Sequence, residues 1–186
     1  PDYIPLRKYF WKINSKEIKK EIKNILLTFG WSRSNFAKAI TKFLLRNFNY
    51  NLNIVSGNSY EFVKHSKVIF HHRISDKEMK RLMLEADICI SGGGQTTYEL
   101  ASCSVPTIGI CFADNQILNL RGWAKSGFLE FIGWYDDKHL FKKIGRSFET
   151  LGYKKRLKMS RLGQRFIDGK GAKRVVESIL REYKNI

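Results

Sequence analysis

Residues 86–100, ADICISGGGQTTYEL, place three glycines, two threonines and one glutamate directly after an apolar run. Glycine lets a ligand approach the backbone closely, and the free N–H groups at a helix start suit a phosphate. Thr96 and Thr97 are placed to cap that helix or to donate hydroxyls to an anion. The carboxylate of Glu99 would repel phosphate, so we expect it to accept hydrogen bonds from a ribose diol. A tight turn for strand–helix packing, with Glu99 stabilising the helix dipole, is the alternative.

Two further polar clusters follow apolar runs. Asp114, Asn115 and Gln116 come after residues 105–112, where an ordinary helix N-cap is the alternative interpretation. His71 and His72 end another apolar run, and a structural role is the alternative to proton transfer there. Ligands of parallel α/β sheets bind outside the carboxyl ends of the strands, which is where these clusters fall.

Apolar runs alternate with segments of helical spacing from residue 24 onward. The near-continuous apolar character of the runs indicates strands that are buried on both faces. Ser75 followed by Glu78 is a capping-box pattern that opens one of the helices. The sequence therefore predicts an α/β fold, a doubly wound parallel sheet of about six strands with helices on both faces. The predicted strands are residues 24–29, 52–57, 67–72, 87–91, 105–112 and 128–133.

The chain has 186 residues, 43% of them hydrophobic, which suits one domain with its own core. Residues 1–15 contain two prolines and are interpreted as a linker or strap that precedes a domain of residues 16–186. The start of the chain does not have the pattern of a signal peptide. The chain also lacks a first Met, so we expect a cut within a longer protein. Three cysteines without a CxxC pair indicate buried, inert thiols in a reducing cytoplasm. No ligand spacing favours zinc, and no cofactor is expected.

The net charge of +17 is unevenly distributed. Residues 1–60 have a net charge of +8, residues 61–139 of −1 and residues 140–186 of +10. A basic surface suggests an anionic partner such as a nucleotide, a nucleic acid or an acidic lipid, and a solvated lysine-rich surface is the alternative.

Four segments in order resemble the C-terminal half of GT-B nucleotide-sugar proteins: ILLTFGWS, ISGGGQTTYEL, VPTIGICFADNQ and IDGKGAKRVV. The sequence is most similar to the PseG/SpsG group, the UDP-sugar hydrolase of pseudaminic acid synthesis and the spore-coat polysaccharide proteins. The wider similarity is to the MurG glycosyltransferases. The start PDYIPLRKYF is similar to the connector between the two halves of that group.

The resemblance implies roles for individual residues. It implies that Glu99 holds the ribose of UDP and that the backbone at Arg73 and Ile74 meets the uracil edge. The implied diphosphate contacts are Gly93, Gly94, Gln95, Thr96 and Ser32, and the implied sugar contacts are Asn115 and Gln116.

The first glycine loop departs from the family pattern Gly-Gly-Ser-Asp. Here it is Gly30, Trp31, Ser32 and Arg33, so a bulky ring stands where glycine is usual. Arg33 replaces an acid and adds a cation suited to diphosphate. The family usually has a glycine just before strand five, and this chain has Ser104 at that position. These departures bear on the substrate more than on the fold.

The expected function is UDP-sugar binding in a hydrolase that releases UDP, with the catalytic base and acceptor site in an N-terminal domain of the same protein. A glycosyltransferase donor domain is the first alternative. A nucleic-acid-binding module is disfavoured because no interleaved aromatic–basic motif occurs. The last alternative is a protein peripheral to an acidic membrane, contacting lipid through Lys154, Lys155, Arg156, Lys158 and Arg161.

Overall fold

The computed structural model describes residues 2–14, 16–30, 34–56 and 63–183. Within these residues, no helix combines the length and the hydropathy that a membrane crossing requires.

Six strands form a single sheet in the order β3-β2-β1-β4-β5-β6, and every pairing is parallel. This architecture confirms the predicted doubly wound α/β fold, and each strand overlaps one of the predicted apolar runs. The strands are β1 (Asn24–Thr28), β2 (Asn51–Ser56), β3 (Val68–His72), β4 (Ile88–Gly92), β5 (Thr107–Cys111) and β6 (Leu129–Trp134).

Seven helices connect and follow the strands in the described part of the chain. They are α1 (Ser34–Asn47), α2 (Asp76–Glu85), α3 (Thr96–Ser102), α4 (Asp114–Ser126), α5 (Leu140–Thr150), α6 (Tyr153–Phe166) and α7 (Gly171–Tyr183). The predicted capping of α2 is confirmed, since the Glu78 N–H donates to the Ser75 hydroxyl at 3.2 Å. Gly127, at φ +80°, ends α4 in the left-handed conformation that glycine adopts without strain.

The sheet separates two hydrophobic layers because successive strand residues point to opposite faces. In β1, Ile25 and Leu27 pack on one face with α1 and α5, whereas Leu26 packs on the other with α2, α3 and α4. All five residues of β4 and of β5 are buried. The central strands are therefore covered on both sides, and a ligand can reach them only at their ends.

Residues 2–14, called the N-terminal strap below, pack along the domain. Leu6 and Phe10 are buried in the layer that contains α2, α3 and α4. The Ser102 hydroxyl donates to the Phe10 carbonyl at 3.0 Å, and the Trp11 indole N–H donates to the Leu6 carbonyl at 2.7 Å. Residues 8–10 form one turn of 3-10 helix. The strap thus contributes side chains to the core of the domain.

The three cysteines are free and buried, as the sequence predicts. Burial raises the pKa of the Cys103 thiol to about 12 and also raises those of Cys89 and Cys111. The thiolate form is thereby disfavoured, which makes these side chains poor nucleophiles.

Arg156 does not belong to a basic surface, which corrects its place in the suggested lipid-binding cluster. Its side chain is buried, with Nε donating to the Leu151 carbonyl at 3.0 Å and Nη2 to the Lys20 carbonyl at 2.7 Å. Lys155 forms an ion pair with Glu130. The exposed cations of that cluster are Lys154, Lys155, Lys158 and Arg161.

We expect Arg156→Ala to lower the free energy of unfolding by roughly 2–4 kcal/mol, because it removes packed methylenes and leaves two carbonyls without their donor. The matched change Lys154→Ala, at an exposed position of the same helix, should stay within about 0.5 kcal/mol. Urea unfolding followed by circular dichroism measures both. Equal effects of the two changes would contradict the buried role of Arg156.

Candidate functional site

The strand order reverses between β1 and β4, which is where doubly wound sheets bind their ligands. From β1 the chain proceeds to β2 and β3 on one side, and β4 leads to β5 and β6 on the other. Thr28 and Ser91 are register partners, so the loops after β1 and β4 leave the sheet side by side. Trp31, Ser32 and Arg33 lie outside the described residues, and their predicted roles stay predictions.

The glycines of the loop after β4 serve different purposes. A Cβ atom on Gly93 would stand 2.6 Å from Leu120 Cγ and 2.9 Å from Gln116 Cβ, so only glycine fits against α4. A Cβ atom on Gly94 would meet nothing within 4 Å, and Gly94 is exposed. Gly93 therefore satisfies the packing interpretation, while Gly94 offers the open backbone that a ligand requires.

Side chains of α4 hold the backbone of Gly93 on both sides. Gln116 Oε1 accepts from the N–H groups of Gly93 and Phe112, each at 3.1 Å. Asn119 Nδ2 donates to the Gly93 carbonyl at 2.7 Å. The Gly93 N–H is thus occupied, and of the Gln116 amide only the nitrogen is left for the predicted sugar contact. Asn115 is exposed.

Thr97 connects the loop to α4 through its hydroxyl. Its Oγ1 donates to the Gly94 carbonyl at 2.8 Å and accepts from Asn119 Nδ2 at 3.0 Å and Trp123 Nε1 at 3.1 Å. These bonds fix the first turn of α3. Thr97 is buried and committed to this network, whereas Thr96 is partly exposed beside it.

Glu99 lies in α3 with its carboxylate buried, and Arg7 of the N-terminal strap pairs with it. Arg7 Nε donates to Oε1 at 2.6 Å and Nη2 to Oε2 at 2.7 Å. The hydrogen bonds to Glu99, together with the negative charges of Glu99 and Asp76, raise the pKa of Arg7. A cation therefore stands against both oxygens of the carboxylate that is expected to hold ribose.

Arg73 and Ile74 lie between β3 and α2, beside the strap. Arg73 is exposed and has a φ of +48°, and Ile74 packs against the core layer that contains Leu6 and Phe10. Asp76, in the first turn of α2, forms an ion pair with Arg7. Arg7 thus links α2, which begins just after the segment expected to meet the base, with α3, the helix that bears Glu99.

The two histidines of the second polar cluster differ in environment. His71 forms a hydrogen bond with Asn53 Oδ1 at 2.9 Å, and burial lowers its pKa, which favours a neutral ring. His72 is exposed. No group of three His, Cys, Asp or Glu side chains in the described ranges is placed to hold a metal ion.

Comparison with known proteins shows where this architecture occurs. The chain is 31% identical over 143 residues to a Helicobacter pylori protein named pseudaminic acid cytidylyltransferase and UDP-2,4-diacetamido-2,4,6-trideoxy-beta-L-altropyranose hydrolase. Its structure superposes on Acinetobacter baumannii MurG with a TM-score of 0.67 at 15% identity, covering 88% of this chain and 51% of MurG. It superposes equally on Staphylococcus aureus MnaA, solved with UDP, with a TM-score of 0.67 at 15% identity, covering 88% and 47%. The chain has a Rossmann-like fold of the GT-B class.

The predicted resemblance to the PseG/SpsG group and to MurG is confirmed by these matches. No family model matches the sequence. The match covers 77% of this chain and 26% of the Helicobacter protein, so the chain spans about a quarter of that relative. The proteins it resembles include a nucleotide-sugar hydrolase and glycosyltransferases.

Reasoning from the sequence missed Arg7, Asn119 and Trp123, all of which contact predicted site residues of this GT-B domain. A signal for the last two exists, because Gln116, Asn119 and Trp123 share a helix face at spacings of three and four. The sequence pointed to Arg7 only indirectly, because a buried glutamate requires a cation or several hydrogen-bond donors as partners and the sequence does not show which residue provides them.

The glycines provide a matched pair of substitutions. We expect Gly93→Ala to lower the free energy of unfolding by about 1–3 kcal/mol through overpacking against Leu120, whereas Gly94→Ala should stay within about 0.5 kcal/mol. Urea denaturation measures both changes. Wild-type stability in both variants would contradict the close contact between Gly93 and α4.

Proposed function

We propose that the chain binds the UDP portion of a nucleotide sugar, within a hydrolase that releases UDP from an amino-deoxy sugar for surface polysaccharide or nonulosonic acid synthesis. The observation that carries this proposal is the segment of residues 93–99, the loop after β4 and the first turn of α3, which lies at the point where the strand order reverses. The similarity to a protein whose name includes a UDP-sugar hydrolase supports the choice of reaction.

The geometry favours a particular distribution of contacts. Because Gln116 occupies the Gly93 N–H, we place the diphosphate against the exposed backbone of Gly94 and Gln95 and the hydroxyl of Thr96. Glu99 would accept from the ribose hydroxyls, and the backbone at Arg73 and Ile74 would meet uracil. Asn115 would face the sugar, and Ser32 and Arg33 would approach the diphosphate from the loop after β1.

In the proposed reaction this domain stabilises the leaving group, which is UDP. When water displaces UDP from the sugar, the bond between sugar and diphosphate breaks and its electrons stay on UDP. Backbone N–H groups and hydroxyls fixed before the reaction neutralise that developing charge without reorganising. The network of Gln116, Asn119 and Thr97 supplies such fixation for the loop.

We assign the catalytic base to a preceding domain of the same polypeptide. Helix α7 supports a docking role, since four apolar residues at spacings of three and four face solvent on it. They are Val176, Ile179, Leu180 and Tyr183. An apolar stripe of this kind marks an interaction surface.

Calorimetry with UDP tests the binding proposal directly. We expect measurable affinity for the wild-type chain and a loss of about tenfold or more in Glu99→Gln, because a hydrogen bond to a charged group contributes about 1.5–3 kcal/mol. Glu85→Gln is the matched control, since Glu85 is exposed and pairs with Arg81 on α2. Absence of binding by the wild type at millimolar UDP would remove the proposal.

The reaction is tested in a polypeptide that carries the proposed preceding domain before this chain. We expect UDP release from a UDP-sugar without an added acceptor. Ile179→Asp should reduce the rate while UDP affinity stays within about twofold, because Ile179 is not among the proposed UDP contacts. Thermal melting confirms that the variant is folded. UDP release that requires an acceptor sugar identifies a glycosyltransferase instead.

A further inference from the structure

The fork of Arg7 on Glu99 fixes the plane of the carboxylate. Each oxygen accepts one N–H, Oε1 from Nε at 2.6 Å and Oε2 from Nη2 at 2.7 Å. A bidentate pair of this kind imposes orientation as well as attraction. Because an ionised carboxylate has about four acceptor sites, each oxygen retains capacity for a second donor.

The Glu99 carboxylate is buried and therefore needs the charge of Arg7 as its partner. The Glu99 side chain is 3% exposed, and its neighbours Leu100 and Ala101 are fully buried. A buried charge without a partner is strongly unfavourable. At this depth little water competes for the carboxylate, so Arg7 provides its counter-charge.

Arg7 is itself held in place by several contacts. It pairs with Asp76 of α2, and its guanidinium lies 5.1 Å from the centre of the buried Phe10 ring. Gln95 Nε2 donates to the Pro5 carbonyl at 2.8 Å, which fastens the strap to the start of α3. The guanidinium therefore stands at a fixed point between α2 and α3.

We propose that Arg7 is the positioning residue for Glu99, so that any preference of the site for ribonucleotides over 2′-deoxyribonucleotides depends on Arg7. The inference rests on the proposed function, since it assumes UDP in this site. Arg7 occupies one side of each carboxylate oxygen and directs the other side to the ribose hydroxyls. A ligand without the 2′-hydroxyl leaves the second acceptor site of one buried oxygen unfilled while Arg7 fills the first, and a site built to hydrogen-bond a hydroxyl discriminates against an analogue that lacks it.

Calorimetry with UDP and 2′-deoxy-UDP tests this selectivity. We expect the wild-type chain to bind UDP at least about tenfold more tightly than 2′-deoxy-UDP. Arg7→Gln should reduce that ratio to below about twofold, and Arg7→Lys, which keeps the charge without the fork, should give an intermediate ratio. Arg174→Gln is the matched control, because Arg174 donates to the Asp2 carbonyl of the same strap without touching Glu99.

Each result decides the question. An unchanged ratio in Arg7→Gln overturns the inference, and so does tighter UDP binding, which would show that Arg7 shields the carboxylate. Should Arg7→Gln melt before the measurement, the Arg7→Lys ratio decides in the same way. Equal binding of both nucleotides by the wild type overturns the inference while UDP binding stands. Failure of the wild type to bind UDP removes the proposed function itself.

Discussion

Leu120 fills a space that exists only because two glycines leave it open. A Cβ atom on Gly93 or on Gly109 would stand 2.6 Å from its side chain, so α4 approaches β4 and β5 more closely than any other residue would permit. That approach brings Gln116 and Asn119 within hydrogen-bonding distance of the Gly93 backbone. The shape of the loop after β4, and with it the candidate nucleotide site, depends on this contact.

The two interpretations of the glycine-rich loop apply to different residues. Gly93 is required by packing, and its N–H and carbonyl are both bound by side chains of α4. Gly94 has open space around it, and the residues that follow are exposed enough to meet a ligand. A rigid residue next to an accessible one is a useful arrangement, because the first fixes the direction in which the second presents its backbone.

The sheet and its order of elements could be predicted because each strand is a short apolar run with a turn signal at its end. The partners of the site residues could not, because they depend on contacts between distant positions. Arg7 and Glu99 are 92 residues apart, and Arg156 reaches a carbonyl 136 residues away. The burial of Arg156 could not be predicted, because it lies among exposed cations in α6 and the charge pattern does not show which of them points inward. The sequence left open whether residues 1–15 are a linker or a strap, and the burial of Leu6 and Phe10 in the core could not be read from a segment with two prolines.

The packing of the strap has a consequence for where this domain begins as a folding unit. A protein shortened to start at residue 16 would lose two core side chains and expose the hydrophobic layer over α2 and α3. It would also isolate the Glu99 carboxylate, which no longer has its cation. A useful minimal domain therefore includes the strap. Because Arg7 and the Pro5 carbonyl bind Glu99 and Gln95 of the site directly, a displacement of the strap would also displace the Glu99 carboxylate.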